Sequence, residues 1–355
     1  MRDPSALLEA DGPPEGGHDN PLVARDLSGG HEPMMGKIAL EEHFALPETL
    51  ADSTRYATGH SWSLLEQRLL DLQDHRLSEM DAHGIAFAIL SLNSPAIQAV
   101  ADRSRAIEVA RRANDVLAEA VARRPDRLGG FAALPLQDPD AAAEELTRAI
   151  TKLGFKGALA NGFSQVSSGE DVVYYDHPAY ASFWRRVEEL EVPFYLHPRE
   201  PLPSREPIYD GHPWLLGPVW AFAAETAVHA LRLMCSGLFD RHPRLTLILG
   251  HLGEGLPYNA WRIDHRLRKM PQGLPARRTI TEYLRSNVFL TTSGNFRTPT
   301  LVDAIAEVGA DRVLFSVDYP FEETGDAAEW FDSAPIPERD RVSIGSENAT
   351  RLFKL

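Results

Sequence analysis

Five side chains capable of chemistry stand at the ends of apolar runs in this 355-residue chain. Glu41 and His43 close KIALEEH (37–43), and His197 lies near the end of VPFYLHP (192–198). His251 closes LTLILGH (245–251), and Asp318 closes RVLFSVD (312–318). Charged groups at the end of a buried strand cost free energy unless something compensates them. Acids and imidazoles without a thiolate make a mixed oxygen and nitrogen donor set. Such a set suits a divalent cation of intermediate hardness: zinc, manganese or iron(II). Residues i and i+2 of a strand share a face, so Glu41 and His43 are expected to point together, with Glu42 turned the other way. Each group also has a purely structural reading. His197, before Pro198, could cap its strand, His251 could be a turn residue in GHLGEGLPY, and Asp318 could form the turn in SVDYPFE. All of these sharing one end of one fold favours the metal.

Delivering them to one end is a task for strands that run the same way. Eight short apolar runs recur after residue 36: 37–43, 85–91, 128–134, 155–161, 192–198, 245–251, 287–293 and 312–318. Between them lie segments with apolar residues at three- and four-residue spacing. SRAIEVARRANDVLAEAVARR (104–124) is one, and DAAAEELTRAITKLG (140–154) is another, with Asp138 or Asp140 as its N-cap and Gly154 as its stop. Alternation of this kind predicts an α/β fold, a (β/α)8 barrel in preference to a doubly wound sheet. Long insertions at 44–62 and 199–218 follow the first and fifth strands, on the face where barrels build active sites.

Composition narrows the partners. A formal net charge of -15 argues against nucleic acid and anionic membranes, which reward Lys and Arg. A single cysteine, Cys235, expected to be a buried apolar residue, excludes an intrachain disulfide and a cysteine zinc site. No apolar run reaches membrane-spanning length and no signal peptide is evident, so a cytoplasmic protein is expected. Residues 1–35, rich in Gly, Pro and acids without period, predict a flexible extension, and 36–355 a single catalytic barrel. Neither a G-x-S-x-G elbow nor a P-loop occurs.

Longer stretches carry a resemblance. GKIALEEHFALPETL, RLLDLQDHRLSEMDAHGI, FYLHPREPLP, YDGHPWLLGPVWAFAAETAVHALRLM, LILGHLGEGLPY and FSVDYPFE resemble the amidohydrolase superfamily. Within it they are similar to the metal-dependent, non-oxidative decarboxylases of the aminocarboxymuconate-semialdehyde decarboxylase type. The resemblance implies Glu41, His43, His197 and Asp318 as ligands of one divalent metal, Mn2+ or Zn2+, with no organic cofactor. Glu41 stands where the superfamily usually has the first His of His-x-His, as in its hydroxybenzoate decarboxylases. The harder oxygen donor tilts preference toward Mn2+. A carboxylated lysine is not indicated, because Lys156 lies near the start of FKGALAN.

The implied activity is reversible decarboxylation of a small aromatic carboxylate, with 2,6-dihydroxybenzoate the best fit. The ring carbon would be protonated before CO2 leaves. Asp318 would be the acid, and His251 would hydrogen-bond the substrate with Glu254 orienting it. Arg262 would pair with Glu254 or substrate. Tyr56 and Phe222 would face the ring, and Asn161 would bond the second hydroxyl. Such enzymes tend to carry Phe where Tyr56 stands. A homo-oligomer, commonly a tetramer, is also implied. The competing readings are a metal-dependent hydrolase of a lactone or amide on the same barrel, and a non-catalytic scaffold.

Overall fold

Eight parallel strands form where the eight apolar runs stand. The computed structural model describes residues 33–56, 62–167 and 170–355. The expected extension at 1–35 falls outside these residues except for Pro33–Met35. Strands β1 (Lys37–Phe44), β2 (Ile85–Leu92), β3 (Leu128–Ala132) and β4 (Gly157–Asn161) pair in sequence order. A short antiparallel hairpin, β5 (Ser164–Val166) and β6 (Asp171–Val173), leaves the main sheet. The order resumes with β7 (Phe194–His197), β8 (Leu247–Leu249), β9 (Val288–Thr291) and β10 (Val313–Leu314). The hairpin was not anticipated: SQVSSGEDVV is polar and lacks a long apolar run.

The two anticipated helices are present as Arg103–Arg123 and Pro139–Lys152. Asp138, not Asp140, caps the second, accepting from the amides of Asp140 and Ala141. Cys235 is partly buried rather than fully so. The two insertions hold 3-10 turns, Leu50–Tyr56 in the first and Pro203–Tyr209, Pro213–Leu215 and Gly217–Val219 in the second. No helix among the described residues is long and apolar enough to cross a membrane.

Two apolar layers fix which side chains reach the site. Inside the barrel, Ile38, Leu40, Ile89, Phe131, Leu159, Tyr195, Ile248, Phe289 and Leu314 pack together, with Phe353 of the last helix beneath. Between strands and helices lies a larger core that includes Ala39, Phe44, Leu196 and Leu249. Strand alternation carries the interior row upward by two residues on each strand. Ile89 leads to Ser91, Leu159 to Asn161, Tyr195 to His197, Ile248 to Gly250 and Phe289 to Thr291. The floor of the barrel mouth is therefore polar.

β1 departs from this parity. Ile38 and Leu40 point inward, so strict alternation would bring in Glu42 and expel Glu41 and His43. The pairing register shifts between Leu40 and Glu42, leaving Glu41 without a partner on β2 and with φ of 70°. This β-bulge flips the remainder of the strand. The expected outcome, Glu41 and His43 inward and Glu42 outward, thus holds through a kink and not through plain alternation.

Among the described residues, the ladder does not continue from β10 to β1. The chain crosses this seam through the His43 amide, which donates to the Tyr319 carbonyl at 2.6 Å, and through Glu42, whose Oε1 accepts the Val317 amide at 3.0 Å.

Candidate metal centre and active site

One ligand atom from each of Glu41, His43, His197 and Asp318 lies within 4.8 Å of the others, at the C-terminal ends of the strands. His197 Nε2 is 3.2 Å from Glu41 Oε1, and His43 Nε2 is 3.2 Å from Asp318 Oδ1. Glu41 Oε1, His43 Nε2 and Asp318 Oδ1 are buried without hydrogen-bond partners. Three such atoms, two from β1 and one from the segment after β10, would be costly together in a protein interior unless a cation sits among them. Two imidazole nitrogens and two carboxylate oxygens fit a single divalent metal of intermediate hardness.

The outer partners set each ligand's orientation. His197 Nδ1 donates to Asn161 Oδ1 at 2.8 Å, leaving the Nε2 lone pair for the cluster. His43 Nδ1 pairs with Ser91 Oγ at 3.1 Å. Glu41 Oε2 accepts from the Tyr195 hydroxyl and from Thr291 Oγ1. A side chain at Gly250 would collide with this carboxylate, since its Cβ would stand 2.9 Å from Oε1, so glycine is required. Glu41, His251, Glu254 and Asp318 all hold left-handed backbone, with φ of 70°, 52°, 54° and 81°. Such conformations cost about 1–3 kcal/mol each in non-glycine residues and concentrate at functional sites.

Electrostatics follow from burial and neighbours. Burial resists ionisation of Glu41, but His251 and His197 hold its carboxyl below the usual range. Burial likewise opposes the charge on Asp318, while His251 and His43 hold it well down. For His43, burial dominates and lowers the imidazole. For His251, burial is outweighed by Glu254, Glu41 and Asp318, which raise it well above the ordinary value. Glu42, behind the strand, is raised to about 8 by burial, with the Val317 amide and Arg76 opposing.

A cavity of about 540 Å³ opens over the cluster, lined by Ser94, His197, Pro218, Phe222, His251, Asp318, Phe321 and Glu322. It adjoins a wider mouth that also touches Glu254. His251 Nδ1 donates to Glu254 Oε1 at 2.8 Å, and its Nε2 faces Asp318 Oδ2 at 3.5 Å. The expected places of His251, Glu254 and Phe222 agree with this geometry. Three other expectations need revision or fall outside it. Asn161 is 2% exposed, with its Oδ1 on His197 and its Nδ2 donating to the Asn93 carbonyl at 2.9 Å. Both ends of its amide are thus engaged by protein partners. Arg262 is exposed on the helix Leu256–Lys269 and does not line the cavity. The Tyr56 side chain lies outside the described residues.

Sequence reasoning missed Phe321, whose ring meets His43 edge-on at 5.7 Å, and Tyr195, Ser91 and Thr291. The signal for the last three was the position two residues above or beside an inward apolar residue. Asn161→Ala is expected to lower manganese affinity about 10–100-fold, the usual cost of losing a partner that orients a ligand. Calorimetric titration of metal-free protein checks this, and unchanged affinity would contradict the assigned role.

Three comparisons bear on identity. The amidohydrolase family matches residues 60–355. A γ-resorcylate decarboxylase of Rhizobium radiobacter is 65% identical over 324 residues, covering 91% of this chain and 99% of the relative. A crystal structure of 2,6-dihydroxybenzoate decarboxylase complexed with 2,6-dihydroxybenzoate is 65% identical and superposes with a TM-score of 0.89, covering 91% of this chain and 100% of that one. A dihydroxybenzoic acid decarboxylase from Polaromonas sp. JS666, with bound manganese and the inhibitor 2-nitroresorcinol, is 60% identical with a TM-score of 0.89, covering 91% and 98%.

Proposed function

This chain belongs to the amidohydrolase family, and from that premise we propose that it is a manganese-dependent decarboxylase converting 2,6-dihydroxybenzoate to resorcinol and CO2. The observation that carries the reading is Asp318, which offers one oxygen to the ligand cluster and the other to the cavity. Its Oδ1 is the partnerless atom beside His43, while Oδ2 faces His251. The similarity to relatives that act on this substrate supports the choice of acid.

A bound manganese ion would be held by Glu41, His43, His197 and Asp318 and would supply Lewis acidity toward the substrate's phenol and carboxylate oxygens. Phe222 and Phe321 wall the cavity and give an aromatic ring apolar surface. Direct loss of CO2 from an arene would leave an unstabilised ring anion. Protonating the ring carbon that bears the carboxylate avoids it. Asp318 passes to that carbon, from Oδ2, a proton that it takes from His251 Nε2, 3.5 Å away. The carbon–carboxylate bond then breaks, its electron pair restores the aromatic ring, and CO2 leaves. His251 Nε2 lies within reach both to hold the substrate's polar oxygens and to return a proton to Asp318. Glu254, bonded to Nδ1, fixes the imidazole for both tasks.

Hydroxyls ortho or para to the carboxylate push electron density onto the carbon to be protonated, which favours the 2,6- and 2,4-isomers over the 2,3-isomer, and the similarity to relatives named for the 2,6-isomer favours that one. The 2,6-isomer should therefore turn over faster than the 2,3- and 2,4-isomers when all three are incubated with manganese-loaded protein and separated by chromatography. A faster rate with either other isomer would overturn the substrate assignment.

The assembly proposed is a homotetramer. Its support is the apolar surface of the single chain: Trp214, Trp220, Tyr258 and Trp261 are 63%, 59%, 81% and 68% exposed. Trp220 stands two residues from Phe222, and Tyr258 follows Gly255 at the rim of the mouth. Sedimentation equilibrium should return four times the 39.4 kDa chain mass. A monomer at micromolar concentration would contradict it.

A further inference from the structure

The seam between β10 and β1 separates two halves of the ligand set, with Glu41 and His43 on one side and Asp318 on the other. A cluster of buried polar side chains sits directly behind it, outside the barrel. Arg76 is 2% exposed, Tyr319 3% and Glu42 4%. Arg76 Nη2 donates to the His43 carbonyl at 2.5 Å, and its Nε donates to the Asp71 carbonyl at 3.3 Å. The guanidinium lies over the Tyr319 ring, 4.5 Å from its centroid. Glu42 Oε1 accepts the Val317 amide at 3.0 Å. Arg76 and Glu42 therefore each grip backbone within one residue of Glu41, His43 or Asp318.

We propose that Arg76 and Glu42 are positioning residues that clasp the barrel seam and so set the spacing between His43 and Asp318. Two facts distinguish this from ordinary packing. The ladder that would otherwise fix these two strand ends does not continue across the seam among the described residues. Arg76 Nη1 and the Tyr319 hydroxyl are both buried without a partner, and both residues line a small cavity with Glu42 that has room for a single water. Arginine suits the task because its planar fork reaches two carbonyls at once.

The inference goes beyond the proposed reaction, because it concerns metal binding and needs no substrate. Metal-free full-length protein is titrated with manganese by calorimetry, and the bound ion's electron paramagnetic resonance spectrum is recorded. Arg76→Met and Glu42→Leu are each expected to weaken affinity by about tenfold or more and to alter the spectrum. Arg76→Lys should recover part of the loss. Glu42→Gln, which keeps an acceptor for the Val317 amide, should recover most of it. Arg148→Met is the control. It breaks a half-buried pair with Glu145, at 2.8 Å, one turn apart on the helix Pro139–Lys152, away from the seam. Its manganese affinity should equal the parent's even where its melting temperature falls.

Parent-like affinity in both Arg76→Met and Glu42→Leu would overturn the proposal, as would equal weakening in Arg148→Met. Should Arg76→Met fail to fold, the comparison of Glu42→Leu with Glu42→Gln decides in the same terms. A parent that binds no manganese would overturn this inference and the proposed function together. A parent that binds manganese without decarboxylating would strike the function alone.

Discussion

Asp318→Asn is expected to cut turnover of 2,6-dihydroxybenzoate about a thousandfold, within the range that a positioned general acid contributes. The amide cannot pass a proton from its outer atom to the ring carbon. It does keep a neutral oxygen donor for the ligand cluster, so manganese is still bound, though more weakly. Single-turnover measurements at saturating manganese separate the two effects. Substrate binding should stay within about tenfold of the parent while the chemical step collapses, the signature of a group used in the transition state. Parent-like turnover in this variant would refute Asp318 as proton donor. The division of labour between its two oxygens rests on Oδ1 lying 3.2 Å from His43 and Oδ2 lying 3.5 Å from His251.

Removing the metal is the second large effect. Dialysis against a chelator should abolish turnover and lower the melting temperature, and added manganese should restore both. Glu41 and Asp318 are acids held close together in the interior, and chelation removes the divalent charge proposed to sit between them. A ligand present at about a thousand times its dissociation constant stabilises the folded chain by about 4 kcal/mol. For a chain of this size that corresponds to a shift of about 5–10 °C. Differential scanning calorimetry with and without manganese measures it. A chelated protein that melts at the parent temperature and stays active would remove the metal from the account.

Much of this site was legible in sequence because its ligands stand at strand ends. His197 and Asp318 each close an apolar run, and parallel strands deliver such ends to one face. The bulge at Glu41 was not legible. KIALEEH has no glycine to announce it, and its effect is a change of parity that only the pairing register with β2 reveals. Asn161 was assigned to substrate because it ends a strand at the mouth. Its Oδ1 meets His197, which lies on the neighbouring strand directly across the β4–β7 register. Register between strands far apart in sequence is a tertiary property that no local pattern encodes. Arg262 illustrates the converse. Its helix follows the His251 loop closely in sequence, yet helical phase turns the side chain to solvent. Phe321 was inside a quoted motif but reads as a loop residue until the cavity above His43 is seen.

Glu41 in the first ligand position connects these points. It adds a carboxylate oxygen to a group that could hold a metal ion and is held by Tyr195 and Thr291 over the glycine at 250. A hydrolase on the same barrel would need a nucleophilic water and would release no CO2. The direct test is therefore to give manganese-loaded protein 2,6-dihydroxybenzoate and to measure resorcinol and CO2 together. Equimolar formation of the two, dependent on the metal, is the predicted result. Neither product from protein confirmed to hold one manganese per chain would contradict the account.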